Sequence, residues 1–127
     1  MTKEKQLQDL RVLVIDDAVD NRLLIKYLLT HEGAIVSEAA SGQEGVTMAL
    51  ADQSDIVLMD IQMPGMDGYE SARLLREKKF AGAVLALTAY DLSGEREYSL
   101  MCGFNDHVTK PIQKDILVNT ILKYANL

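Results

Sequence analysis

Apolar residues in this chain alternate between two patterns. Short continuous runs occupy 12–15, 56–59 and 83–87, and a shorter, partly alternating one occupies 34–39. After each comes a longer stretch whose apolar positions recur every three or four residues. Runs of this length bounded by turn residues suit strands of a parallel sheet buried on both faces, and the longer stretches suit amphipathic helices. The helices are expected at 19–32, with Leu23, Leu24, Tyr27 and Leu28 on the inward stripe, and from 41 onward, with Val46 and Leu50 inward. A third is expected at 69–78 (Ala72, Leu74, Leu75), a fourth at 93–101 (Tyr98, Leu100, Met101) and a last from 113 (Ile116, Leu117, Ile121, Leu122). A short fifth strand, 106–110, is stopped by Pro111.

Local signals support these boundaries. Gly33 follows the first helix, and Ser41 with Glu44 has the capping-box spacing. Asp20 or Asn21 suits a cap or the dipole at the start of the first helix, and basic residues close the third. The run 34–39 alternates and carries Ser37 and Glu38, so it is expected at a sheet edge. The fourth helix has the thinnest apolar stripe and is expected to be the most mobile. Five β-α units in succession imply an α/β fold: a parallel sheet with right-handed crossovers and helices on both faces. Residues 1–10 are polar apart from Met1, Leu7 and Leu10, and read as an extension or linker remnant before a domain at 11–127.

Composition narrows the function. The 127 residues suffice for one domain with a real core. A net charge of -6 argues against general affinity for nucleic acid or an anionic membrane. The single cysteine, Cys102, excludes an internal disulfide and reads as a packing residue in a reducing compartment. No apolar run approaches the roughly 20 residues of a membrane span, and no signal-peptide core opens the chain, so a cytoplasmic protein is expected.

The chemistry sits at the strand ends. The first strand ends in Asp16-Asp17, the third in Asp60, the fourth in Thr88 and the fifth in Lys110. In open α/β sheets ligands bind in the crevice beyond these carboxyl ends. Three carboxylates gathered there repel one another unless a cation relieves them, and Mg²⁺ suits an oxygen-only, partly hydrated site. A lysine and a hydroxyl beside them are what a phosphoryl group needs, and a carboxylate can be the nucleophile that takes it. Singly, each residue has a plainer role as turn, cap, strand or solvated residue. All of them facing one crevice favours phosphoryl acceptance. Met63 and Met66, flanking Asp60, read as gap-filling side chains.

The segments Val14-Ile15-Asp16-Asp17, Leu58-Met59-Asp60-Ile61-Gln62-Met63-Pro64-Gly65-Met66-Asp67-Gly68, Leu87-Thr88-Ala89 and Thr109-Lys110-Pro111 closely resemble the receiver domains of two-component response regulators. The likeness runs across all five units. It implies a flavodoxin-like (βα)5 fold with strand order 2-1-3-4-5, and Asp60 as the acceptor of phosphate from a phosphohistidine of a histidine kinase or histidine phosphotransfer domain. By the same resemblance Asp17, Asp60 and the backbone carbonyl of Gln62 are expected to ligate Mg²⁺, with Asp16 acting through water. Lys110 would pair with the phosphate, Thr88 would swing to it, and the Lys110-Pro111 bond would be cis. Gln62 and Tyr90 occupy the positions that tune hydrolysis of the acyl phosphate, and Tyr90 is expected to shield it. The switch position, usually Tyr or Phe, holds His107, which either rotates or is merely an edge-strand residue.

The wording of 17–23 and 87–89 is more similar to receivers of hybrid sensor histidine kinases than to free-standing regulators. The chain closes at Leu127, so no DNA-binding or enzymatic output is expected. A weak homodimer through the fourth helix, fifth strand and last helix is in keeping with the family. An aspartate-nucleophile phosphohydrolase of the haloacid dehalogenase type is the alternative from another class. It would need a second aspartate where Gln62 stands, and a cap domain. Flavin binding is disfavoured because Asp16-Asp17 would repel the phosphate.

Overall fold

The computed structural model describes residues 5–89 and 96–125, apart from the side chain of Arg96. Its elements alternate throughout: β1 (Arg11–Ile15), α1 (Val19–His31), β2 (Ile35–Ala39), α2 (Gly42–Asp52), β3 (Ile56–Asp60), α3 (Gly68–Glu77), β4 (Ala83–Thr88), α4 (Arg96–Cys102), β5 (Asp106–Thr109) and α5 (Lys114–Tyr124). The strands form one parallel sheet in the order β2-β1-β3-β4-β5. β2 therefore lies at an edge, as its alternating pattern predicts, and every residue of β3 and β4 is buried, as their unbroken apolar runs predict.

Side-chain alternation sends the strand residues into two cores. Val12, Val14, Ile56, Leu58, Leu85 and Leu87 meet Ile25 and Leu29 of α1 and Leu117, Val118 and Ile121 of α5. Leu13, Ile15, Val57, Met59, Val84 and Ala86 meet Val46 and Ala49 of α2 and Ala72 and Leu75 of α3. α4 lies against α3, where the rings of Tyr69 and Tyr98 stand 4.9 Å apart.

Two helices turn a different face inward from the expected one, and a third departs from it at a single position. On α1, Leu23, Leu24 and Tyr27 are 55%, 43% and 62% exposed, and the buried ridge is Ile25 and Leu29. This helix carries apolar residues around most of its circumference, so periodicity alone does not fix the docking face. On α4 the expected stripe is exposed, Met101 at 82%, and Ser99 and Cys102 are buried instead. With so few apolar positions, packing against α3 decides the orientation. On α5, Leu117, Ile121 and Leu122 pack into the core as expected, while Ile116 is exposed and Val118 is buried in its stead. The expected start of α4, at 93–95, lies outside the described residues.

Two contacts tie the ends of these elements together. The segment before β1 is packed rather than loose. Leu7 is fully buried in the α1–α5 core, its N–H donates to the Glu32 carbonyl at 2.8 Å, and Asp9 N–H donates to Gly33 O at 2.9 Å. At the start of β4 and β5, the Arg76 guanidinium donates to the carbonyls of Phe80, Gly82 and Gly103 and to Asn105 Oδ1 at 2.8–3.0 Å. Asn105 Oδ1 also accepts from Val84 N–H, so one side chain of α3 aligns both strands.

Candidate functional site

β1 and β3 are neighbours in register, with Ile15 opposite Met59, so the residues that follow on each strand emerge side by side. Asp16, Asp17 and Asp60 each bring a carboxylate oxygen within 4.8 Å of the others. Asp16 is fully buried, Asp60 nearly so, and Asp17 is exposed. Lys110, carried in by the loop after β5, places Nζ 3.5 Å from Asp16 Oδ2 and 3.5 Å from Asp60 Oδ2. Its N–H donates to the Thr88 carbonyl at 2.7 Å, which fixes it beside the end of β4. The Lys110-Pro111 bond is cis.

Burial, first, and the Asp16 carboxylate both raise the Asp60 pKa. The Gln62 N–H, donating to Asp60 Oδ1 at 3.0 Å, and Lys110 oppose the rise without cancelling it. Asp60 thus carries its charge at a cost that one lysine does not remove. A hard divalent cation would remove it. Three carboxylates, one open to solvent, are the oxygen donors that Mg²⁺ takes together with water, so these residues fit that ion.

The approach of α3 to the site depends on a missing side chain. A Cβ at Gly68 would come within 2.7 Å of both the Asp60 carbonyl and Ile61 Cα, and Gly68 N–H donates to Ile61 O at 3.0 Å. The β3–α3 loop folds back on the end of β3 only because position 68 has no Cβ. Asp67 caps α3 by accepting from Glu70 N–H at 2.9 Å.

The other residues named from sequence are placed as follows. Thr88 closes β4, is 3% exposed and pairs with Thr109 in register. Gln62 is exposed immediately beyond Asp60. His107 lies on the edge strand β5 with its side chain 25% exposed, Nδ1 3.8 Å from Asp106 Oδ1. Tyr90 lies outside the described residues. Met63 is buried in the α2–α3 core, in keeping with a filling role, and Met66 is half-buried.

Sequence reasoning missed what holds Asp16. Ala18 N–H donates to Asp16 Oδ1 at 2.9 Å and Asn21 Nδ2 to Oδ2 at 3.3 Å. Arg22 Nη1 donates to the Asp16 carbonyl at 2.7 Å, and its Nε meets Glu38 Oε1 of β2 at 3.2 Å. α1 has Ala18 at its N-cap with no side-chain bond, so Asn21 serves the acidic loop rather than the helix end. The signal was an amide and a guanidinium in the first turn of a helix that starts right after the acids. Its partner on β2 could be found only once the two strands were paired.

Comparison with known proteins agrees with this geometry. The family model of the response regulator receiver domain matches residues 12–122. An uncharacterized 14.6 kDa protein of Leptolyngbya boryana is 35% identical over 121 residues, which cover 94% of this chain and 92% of that protein. The sensor histidine kinase GacS of Pseudomonas protegens is 38% identical over 122 residues, covering 92% of this chain but only 13% of the kinase. Among solved structures, the receiver domain of the sensor histidine kinase PA1611 of Pseudomonas aeruginosa, with a magnesium ion in its active-site cleft, superposes with a TM-score of 0.84. It is 30% identical, over 94% of this chain and 99% of that one. With five parallel strands in the order 2-1-3-4-5 and an acidic cluster at their ends, this chain belongs to the response regulator receiver domain family of two-component systems, similar to the receivers of hybrid sensor kinases.

Proposed function

We propose that Asp60 accepts a phosphoryl group from a phosphohistidine of a histidine kinase or phosphotransfer domain, and that the domain relays a signal by changing its surface. The observation that carries this reading is the buried Asp60 carboxylate, bracketed by Asp16, Asp17 and the Lys110 ammonium. In the transfer, an Asp60 oxygen attacks phosphorus as the bond to the histidine nitrogen breaks, leaving a mixed anhydride and a free imidazole. Lys110 moves its pairing from Asp60 to the phosphoryl oxygens, and the Gln62 N–H holds the attacking carboxylate in place. Asp17, Asp60 and the Gln62 carbonyl would hold Mg²⁺, with Asp16 acting through water, and the ion supplies charge neutralisation at the transferring group.

Thr88 then hydrogen-bonds the phosphoryl group, and the placement of Thr88 and its loop that favours this bond becomes the populated one. His107, two strand positions before Thr109 on the edge strand beside β4, reads out that change by rotating. Partners meet the domain on the face formed by α4, β5 and α5, where a weak second copy also docks. The similarity to GacS and to the PA1611 receiver favours an origin in a hybrid kinase. The aspartate phosphohydrolase reading is weaker, because Gln62 stands where such enzymes need an acid.

The experiment is exposure of the domain to acetyl phosphate with Mg²⁺, followed by intact-mass analysis. One phosphoryl group should be gained. It should be lost on adding chelator beforehand and absent in Asp60→Asn. Incorporation unchanged in Asp60→Asn rejects the proposal, and continuous turnover of a phosphate ester revives the enzyme reading.

A further inference from the structure

Asp16 is tied to the edge strand β2 through both of its backbone polar groups. Its N–H donates to the Ala39 carbonyl at 3.1 Å. Its carbonyl accepts from Arg22 Nη1 at 2.7 Å, and Arg22 is in turn held by Glu38, the residue before Ala39, at 3.2 Å. The Arg22 side chain is only 15% exposed and bridges from the first turn of α1 to β2 across the acidic loop. Asp16 and Asp17 sit in the short loop between β1 and α1, so whatever fixes the Asp16 peptide also fixes the direction in which both carboxylates leave it. Ala18 N–H and Asn21 then lock the Asp16 carboxylate itself.

We infer that Arg22 is a positioning residue for the divalent-cation site, and that Glu38 of β2 acts on the same site through Arg22. The guanidinium pairs with Glu38 and the Asp16 carbonyl, not with the carboxylates of Asp16, Asp17 or Asp60. It sets the geometry of the two acids of β1, as groups behind metal ligands do generally. Arginine suits the task because its planar fork satisfies a carbonyl and a carboxylate at once, which the single ammonium of lysine does less well. Lys26 also approaches Glu38, at 3.5 Å, but with half its side chain exposed and no bond to the acidic loop. It serves as the internal control.

This inference rests on reading Asp16, Asp17 and Asp60 as a cation site, and the test keeps the two separable. Mg²⁺ alone is titrated into the full chain by calorimetry, and melting is followed in chelator. The variants are Arg22→Ala, Arg22→Lys, Glu38→Gln and Lys26→Ala, with the double variant Arg22→Ala/Glu38→Gln. Arg22→Ala should weaken Mg²⁺ binding about tenfold. Arg22→Lys should restore part of that loss, and Lys26→Ala should bind as the parent does. Glu38→Gln, a milder change at a partly exposed site, should weaken binding in the same direction. The double variant should bind no more weakly than Arg22→Ala, because Glu38 works only through that side chain. An Arg22→Ala protein that melts cooperatively and binds Mg²⁺ within twofold of the parent overturns the inference. So do fully additive losses in the double variant. If Arg22→Ala does not fold, unchanged affinity in Glu38→Gln overturns the coupling to β2. Absence of Mg²⁺ binding by the parent chain would instead refute the cation-site reading beneath it.

Discussion

Asp60→Asn removes a charge while keeping the shape of the side chain and an oxygen to accept the Gln62 N–H. The lost attraction is to Lys110 at 3.5 Å, about 5 kcal/mol at an effective dielectric near 20. Against it stand burial of the carboxylate and repulsion from Asp16, and the raised pKa says that these prevail. Lys110 also keeps its second partner, Asp16, at the same distance. The substitution should therefore stabilise the metal-free domain at pH 7, by about 1 kcal/mol. For a chain of this size that is about 3–5 °C in Tm.

The pH dependence has a definite sign. A carboxyl whose folded pKa is raised binds its proton more tightly in the folded state than in the unfolded one. Its charge therefore destabilises fully above the folded pKa, and this penalty fades as pH falls toward the ordinary value of 3.8. Differential scanning calorimetry in chelator, from pH 7 downward, should show the gap between Asp60→Asn and the parent closing on acidification. Added Mg²⁺ should raise the melting temperature of the parent and do much less for the variant, because a ligand bound only by the folded state stabilises it. A variant that melts below the parent in chelator at pH 7, or a gap indifferent to pH, would refute this account of the site's electrostatics.

Three other substitutions probe the frame around the site. Leu7→Ala empties a fully buried position between α1 and α5 and should cost about 3 kcal/mol in urea unfolding, whereas a loose leader would cost nothing. Arg76→Met strands three carbonyls and the Asn105 side chain, and should cost about 2–4 kcal/mol by the same assay. Burial raises the Asp106 pKa, but the His107 N–H, the Tyr124 hydroxyl at 2.9 Å, Lys123 and His107 together bring it below the usual range. Its contribution is present above the unfolded value and lost as pH falls through the folded one. Asp106→Asn should accordingly lower Tm at pH 7, and its difference from the parent should shrink as pH falls below 3.8.

How much could be read from sequence depended on where each element sits. β3 and β4 are buried on both faces, so their runs need no partner information, and Asp60 and Thr88 at their ends were found with them. α1 is the opposite case. Its residues Leu23, Leu24 and Tyr27 look as suitable for the core as Ile25 and Leu29, and only the geometry of the loop after β1 turns one face inward. The burial of Leu7 was not legible, because two leucines in a polar leader, Leu7 and Leu10, have no periodicity to mark a packed segment. Arg76, Asn105 and the Arg22–Glu38 pair link residues far apart in the chain, so their roles exist only after the sheet is assembled. The site was thus legible in its charged groups, but not in what aims them.

The measurement closest to the central claim is reduction of the acetyl phosphate-treated domain with borohydride, which converts an aspartyl phosphate to homoserine, followed by peptide mapping. The account predicts homoserine at position 60 alone, formed only when Mg²⁺ is present. Homoserine at another aspartate, or none in a folded domain that binds Mg²⁺, would contradict it.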